Sequence, residues 1–224
     1  MPVRGLYITG TDTGIGKTVA SAAWLNALRA SGLRAVGMKP VASGCEATPH
    51  GWRNEDALAL QAASRPTPPY ADVNPYALPL PLAPELAARN AGVELALAPL
   101  IAAYGRLQAS ADVVVVEGVG GWAAPLSASL TQLDLVRALD LPVVLVVGLR
   151  LGCINHALLS ARAILADGCR LLGWIGNALD PAMACREEHR AMLGARLPAP
   201  CLGWLPHDPS ADAVALSRCL TIPA

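Results

Sequence analysis

Lys17 and Thr18 close the stretch Gly10-Thr-Asp-Thr-Gly-Ile-Gly-Lys-Thr18, which follows the apolar run Gly5-Leu-Tyr-Ile-Thr9 and precedes the helix-like Val19–Arg29. A buried strand, a Gly-rich turn ending in Lys-Thr and a helix form the context that a phosphate-binding loop requires. Successive backbone N–H groups and the positive end of the helix converge on an anion, and small residues let it approach. Lys17 would lie along the β- and γ-phosphates, and the Thr18 hydroxyl would bind Mg²⁺. The stretch departs from the standard pattern, because Thr11 stands six residues before the lysine where glycine is usual and Gly10 comes one position earlier. A tight strand–helix turn with an incidental lysine is the plainer alternative. The flanking strand and helix favour phosphate.

Three other polar positions fall where the same ligand would find them. Ala35–Met38 reads as a strand closed by Lys39-Pro40, and the proline bars helix, so Lys39 stands at a strand's end. Ligands of open α/β sheets bind at the carboxyl ends of the strands, which lifts Lys39 above an ordinary surface lysine. Asn54 can cap a helix over Glu55–Ala63 and put Asp56 in its first turn. Spacing alone leaves Asp56 equally open to a helix-dipole contact worth a few tenths of a kcal/mol. Asp112-Val-Val-Val-Val-Glu117 runs into Gly118-Val-Gly-Gly-Trp122, an all-valine strand that delivers a carboxylate beside a glycine loop. Such a carboxylate is costly to bury unless paired or on a metal, and Mg²⁺ shared with Thr18 is its natural partner. At Leu151-Gly-Cys-Ile-Asn-His156, the helix start from Gly152 to Asn155 could offer N–H groups to a second anion, such as a substrate carboxylate. His156 reads as a packed or capping histidine.

The elements that position these residues alternate along the chain. Helix is expected from Lys17 to about Ala30, stopped at Ser31-Gly32. Val41–Asn54 reads as a polar loop without periodicity. Ser64–Pro84 holds seven prolines and is expected to be an ordered surface connection, neither regular helix nor central strand. Alanine-rich helices follow near Glu85–Asn90 and Leu95–Gln108, with another over Thr131–Leu139. Strands are expected at Pro142–Gly148, Leu171–Asn177 and Cys201–Leu205, and helices from Cys153 through Asp167 and over Met183–Arg196. Strand–helix alternation from end to end predicts an α/β fold with a mostly parallel central sheet and helices on both faces.

Composition narrows the function. The 224 residues fit one domain, spanning 1–224, with a substantial core. Hydrophobic content is 54%, but no run approaches the ~20 apolar residues of a membrane span, so a buried sheet accounts for it. Seventeen basic and seventeen acidic residues cancel, which leaves no electrostatic case for nucleic acid or an anionic membrane as partner. Six cysteines without a C-x-x-C pair read as free thiols in a reducing cytosol. Met1-Pro-Val-Arg leads directly into the first strand, and no signal peptide is expected.

Taken together, six ordered motifs resemble the dethiobiotin synthetases: Thr9–Thr18, Lys39-Pro-Val-Ala-Ser-Gly44, Asp56-Ala-Leu-Ala-Leu60, Val116–Trp122, Leu151–His156 and Gly173-Trp-Ile-Gly-Asn177. Thr11 in the loop is then the family's own variant. The resemblance implies a P-loop NTPase-like, cytoplasmic, homodimeric enzyme that converts 7,8-diaminononanoate, CO₂ and MgATP to dethiobiotin, ADP and phosphate. It implies that Lys17, Lys39 and Mg²⁺ surround the γ-phosphate and carbamate with positive charge, with Thr11 and Ser43 hydrogen-bonding there. It implies Thr18, Asp56 and Glu117 as metal ligands. The ATP site would comprise Gly14, Ile15, Gly16, Lys17, Thr18 and Val19, Asp56, Glu117 with Gly118, Val119 and Gly120, and an adenine pocket of Asn177, Ala178, Leu205, Pro206 and His207. Gly152, Cys153 and Asn155 would hold the substrate carboxylate, reached from the other subunit. Gly14 replaces a Glu of some relatives, and His189 stands where a Tyr can hold the substrate's acidic end. Partitioning and division-site ATPases resemble the same sheet, but they carry a signature lysine five residues before the loop lysine, where this chain has Asp12. Cobyrinate-type synthetases resemble the first part but add a glutaminase domain.

Overall fold

The computed structural model describes residues 4–208 and 210–223. The expected lead-in Met1-Pro-Val therefore lies outside the described residues. The chain opens with β1 (Gly5–Gly10), α1 (Lys17–Ala30) and β2 (Ala35–Met38), and the α1–β2 turn carries Gly32 at φ +85°. Next come three short strands, β3 (Val41–Ser43), β4 (Glu46–Thr48) and β5 (Gly51–Arg53). Helix α2 (Glu55–Ala63) follows, its first turn capped by the Asn54 side chain, which accepts from the Ala57 N–H at 3.3 Å. The proline-rich connection contains α3 (Tyr70–Val73) and β6 (Tyr76–Leu78). Then come α4 (Pro84–Ala91), α5 (Leu97–Ser110), β7 (Val113–Glu117), α6 (Gln132–Leu139), β8 (Val143–Leu149) and α7 (Cys153–Ala166). The last elements are β9 (Leu171–Ala178), α8 (Arg186–Arg196), β10 (Cys201–Leu205) and α9 (Ala213–Ser217). Among the described residues, no helix is long and apolar enough to cross a membrane.

Six strands form one sheet in the order β10-β9-β8-β1-β7-β2, and each neighbouring pair runs parallel. Both faces are buried, which is why the central strands β7 and β8 are valine-rich runs rather than alternating patterns. Tyr7, Val114, Val116, Val143, Leu145 and Val147 face a core built with α5, α6 and α7. Leu6, Ile8, Val113, Val115, Val144 and Val146 face the opposite core, built with α1, α2 and α9. Parallel pairing brings all six carboxyl ends to one edge. Because β1 lies between β7 and β8, the chain changes direction across the sheet at the end of β1, and the crevice there is where ligands of such sheets bind.

Three expectations are corrected. The segment 41–54 is not irregular: β3 pairs parallel with β6, and β4 with β5 form an antiparallel hairpin that sets Glu46 opposite Arg53 and Ala47 opposite Trp52. Three-residue strands have no periodicity to read, and their pairing is decided by what lies opposite. The proline-rich connection is ordered and supplies no strand to the central sheet, as expected, but its prolines bracket a four-residue helix and a strand paired only with β3, with Val73 and Leu78 buried. Helix α8 starts at Arg186, after Cys185 at φ +51°, rather than at Met183, and α9 has no counterpart in the expected elements. All six cysteines are free, two of them buried.

Candidate active site

At the end of β1 the chain turns through residues held by backbone geometry. The Thr11 N–H donates to Val146 O at 3.0 Å, continuing the pairing with β8 one residue past the strand. The Thr13 N–H turns back onto the Asp12 carboxylate at 2.7 Å. Gly14 and Gly16 take φ +72° and +86°, and Ile15 between them is buried. No side chain caps α1 and no acid stands in its first turn, so its leading N–H groups point at the crevice without an internal acceptor. Gly16 is the tightest point, since a Cβ there would stand 2.1 Å from Asn177 Nδ2. Gly16→Ala is expected to cost more than the ~1–2 kcal/mol of the left-handed backbone alone, because Asn177 must also leave Ile15 O. Denaturant unfolding checks this.

Lys39 is the centre of the polar cluster. The residue is 4% exposed, and its ammonium donates to Glu117 Oε1 at 2.5 Å, Asp56 Oδ2 at 2.9 Å and Gly118 O at 3.4 Å. Thr18 joins the same carboxylate, its hydroxyl donating to Glu117 Oε1 at 2.8 Å. The proline-rich connection clamps Lys39 from behind: its N–H donates to Val73 O at 2.7 Å, and its carbonyl accepts from Asn74 Nδ2 at 2.7 Å. Asn74 was not legible as a site residue from sequence; only its place before Pro75 hints at a fixed turn. Burial alone would lower the Lys39 pKa, but the Glu117 and Asp56 charges outweigh it and leave it raised. Burial would likewise raise Asp56, but Lys39 outweighs it and holds the carboxyl low.

Lys17 behaves differently. It is nearly as buried, its ammonium donates only to Asp12 O at 3.0 Å, and burial followed by repulsion from Lys39 lowers its pKa to about 8. Nucleotide phosphates need this lysine charged. MgATP affinity is therefore expected to fall as pH rises through about 8, and a titration of nucleotide binding between pH 7 and 9.5 reads it. Lys17→Arg, which stays charged, removes that dependence. For stability the sign is opposite: the unfolded chain holds this proton up to about 10.5, so Lys17 alone makes stability rise between about pH 8 and 10.5.

A hard divalent cation fits these donors. Thr18, Asp56 and Glu117 offer only oxygen, and Glu117 Oε2 is buried without a hydrogen-bond partner. Among the described residues no three His, Cys, Asp or Glu side chains cluster as a closed metal site. Two carboxylates and a hydroxyl leave room for phosphate oxygens, as Mg²⁺–nucleotide binding requires.

The remaining expected residues lie along the same edge. Leu205 pairs in register with Asn177, so the two halves of the expected adenine pocket are neighbours. The Asn177 side chain is buried and donates to Ile15 O at 2.9 Å, which ties β9 to the phosphate loop; Ala178 and Leu205 are buried, while Pro206 and His207 are exposed. The Gly118 N–H donates to Ile8 O at 2.9 Å, the Val119 N–H to Gln132 Oε1 at 3.0 Å, and Gly120 takes φ +62°. Val19, the third residue of α1, is 43% exposed. Ser43 ends β3, and its carbonyl accepts from Asn54 Nδ2 at 3.4 Å, joining the Lys39 segment to the cap of α2. Gly152, at φ +94°, is the N-cap residue before α7. The Cys153 N–H is already used by Arg150 O at 3.0 Å and its thiol is buried, so the free donors of that turn belong to Ile154 and Asn155. His156 is exposed and not packed, and His189 is exposed with Nδ1 at 2.8 Å from Cys185 O. Arg150 was missed from sequence; its guanidinium pairs with the Asp12 carboxylate and joins the α7 turn to the phosphate loop.

A parallel sheet whose first strand feeds a glycine loop and a Lys-Thr helix start, with acids from two other elements at the same edge, defines a P-loop NTPase. The AAA domain family matches residues 4–215. Among solved structures, the MinC:MinD cell division protein complex of Aquifex aeolicus is similar over 96% of this chain and 86% of that one, at 17% identity and TM-score 0.59. MinD of the same organism alone gives 0.56 over 96% and 87%. At that identity the likeness shows the fold. Sequence relatives are more specific. The ATP-dependent dethiobiotin synthetase BioD of Xanthomonas campestris pv. campestris (ATCC 33913) is 66% identical over 223 residues, all of both chains. Those of Xanthomonas euvesicatoria pv. vesicatoria and Xylella fastidiosa are 67% and 65% identical, covering 97% and 93% of this chain and 97% and 92% of their own. The chain belongs to the dethiobiotin synthetase family, whose members are ATP-dependent enzymes.

Proposed function

We propose that residues 1–224 form a single-domain, cytoplasmic, homodimeric enzyme that closes the ureido ring of dethiobiotin from 7,8-diaminononanoate, CO₂ and ATP. The observation that carries this reading is the Lys39 ammonium held between Glu117 and Asp56, beside a Lys17–Thr18 phosphate loop. Phosphoryl transfer asks for positioning and charge neutralisation more than for covalent help. In the proposed sequence one substrate amine adds to CO₂ and loses a proton, giving a carbamate. A carbamate oxygen then attacks the γ-phosphorus and ADP leaves. The second amine attacks the carbonyl carbon of the resulting carbamic-phosphoric anhydride and expels phosphate, closing the ring.

Each residue has a task in that sequence. Lys17 and the loop N–H groups hold the β- and γ-phosphates, and Lys39 neutralises charge shared by carbamate and γ-phosphate. Thr11 and Ser43 hydrogen-bond the carbamate end. Thr18, Asp56 and Glu117 would hold Mg²⁺, which supplies Lewis-acid charge to the phosphates when bound. Asn177, with Ala178 and Leu205 to His207, would bind adenine. The α7 start at Gly152, Cys153 and Asn155 would take the substrate carboxylate, with the partner subunit closing the site. The test is phosphate release from MgATP by purified protein. Release only when diaminononanoate and bicarbonate are both present supports the reading. Substrate-independent hydrolysis stimulated by DNA or lipid, with no dethiobiotin formed, would point instead to a nucleotide-switched ATPase.

A further inference from the structure

Gln132 opens α6, is fully buried, and belongs to none of the binding segments above. Its Oε1 accepts from the Tyr7 hydroxyl at 2.6 Å and from the Val119 N–H at 3.0 Å. Its Nε2 donates to Gly121 O at 2.6 Å and to Trp122 O and Ala124 O at 3.4 Å each. One amide thus satisfies donors on one side and carbonyls on the other, a division only Asn or Gln can supply. The backbone from Gly118 to Ala124 wraps around it. At Gly118 the approach is so close that a Cβ would stand 2.4 Å from Gln132 Oε1 and 2.6 Å from the Tyr7 hydroxyl.

That wrapped segment begins at the groups facing Lys39. Glu117 precedes it, and Gly118 carries the carbonyl 3.4 Å from the Lys39 ammonium. We propose that Gln132 is a positioning residue for the phosphoryl-transfer site: by fixing the peptide planes from Gly118 to Ala124, it sets the aim of the Glu117 carboxylate. Magnesium-dependent nucleotide binding and the rate of transfer follow from that aim. The inference rests on the reading of Glu117 as a metal ligand given above. Tyr7 completes the device. Burial, then the nearby Glu117 charge, raises its pKa far above the working range, so it stays a neutral donor and keeps the Gln132 carbonyl turned toward it.

Three variants test this: Gln132→Leu, Tyr7→Phe and Thr131→Ala. The last removes the capping box that Thr131 forms with Asp134 at the start of the same helix, without touching the amide. Each is titrated with Mg²⁺ at fixed fluorescent ADP analogue, melted, and assayed for kcat and KM. Gln132→Leu is expected to raise the Mg²⁺ midpoint about 10-fold and to lower kcat while leaving the diamine KM within about 2-fold. Tyr7→Phe loses one hydrogen bond and should raise the midpoint about 2–5-fold. Thr131→Ala should lose stability and keep the wild-type midpoint and kcat. An unchanged midpoint in folded Gln132→Leu overturns the proposal, as does an equal shift in Thr131→Ala. Should Gln132→Leu fail to fold, an unchanged midpoint in Tyr7→Phe overturns it. Variants that show these shifts in a wild-type background that makes no dethiobiotin would overturn the functional reading and leave this one standing.

Discussion

Lys39→Ala is expected to lower turnover about 10²–10³-fold, the loss typical of removing one preorganised charge from a developing anion. MgADP binding should change by no more than a few-fold, because the loop N–H groups and Lys17 hold the phosphates independently. The charge pattern also predicts a stability effect. Lys39 is the only cation in contact with the buried Glu117 carboxylate among the described residues, and it holds Asp56 as well. Breaking a buried pair from one side costs about 3–5 kcal/mol, because the other charge stays buried. The raised Lys39 pKa gives the sign with pH: its pairing stabilises the fold fully below the ordinary lysine value of 10.5 and is lost only as pH rises above it. Lys39→Ala should therefore be destabilised at neutral pH, and Mg²⁺ should restore part of the loss by meeting the same carboxylates. Single-turnover kinetics and melts with and without Mg²⁺ measure both effects. Unchanged turnover would remove Lys39 from the catalytic machinery.

Glu117→Gln is the second large effect. The amide keeps the shape and can still accept from Thr18, now 2.8 Å from Glu117 Oε1, so the change isolates charge. The Mg²⁺ concentration for half-maximal phosphate release is expected to rise at least about 10-fold, since perturbing even the outer partners of a metal site costs that much. Lys39 loses the larger of its two stabilising charges and its pKa should fall toward the ordinary value. An Mg²⁺ dependence equal to wild type would contradict the assignment of Glu117 as a ligand.

Much of this site could be read from residues whose neighbours in sequence are also their structural context. The phosphate loop, the valine strand ending in Glu117 and the Asn54 cap are local statements, and α1 and α2 begin and end where capping and glycine signals place them. What could not be read depends on distant chain. Gln132 is an unremarkable first residue of a capped helix until Gly118–Ala124 folds back over it. Asn74 acts only because the proline-rich connection returns beside Lys39. Arg150 reaches Asp12 only because β8 lies next to β1. Short strands such as β3 and β6 exist through each other, so neither segment signals alone. His156 failed for the converse reason: helical periodicity gives no warning that its face of α7 is exposed.

The likeness to MinD-type structures leaves chemistry to be decided by side chains, since one fold serves many functions. At the position of the signature lysine of the switch ATPases stands Asp12, whose carboxylate is taken up by Arg150 and the Thr13 N–H. An acid there supplies no cation of its own. The acids, Lys39 and Thr18 meet one another at the sheet edge beside the phosphate loop.

The measurement that tests this account most directly follows the oxygen atoms. In bicarbonate labelled throughout with ¹⁸O, a carbamate that attacks the γ-phosphorus places a labelled oxygen between carbon and phosphorus, and ring closure breaks the carbon side of that bridge. Released phosphate should then carry one ¹⁸O per molecule, and the ureido carbonyl of dethiobiotin should carry another. Phosphate that gains its new oxygen from unlabelled water would contradict the account, because ATP would then be hydrolysed rather than spent on the carbamate.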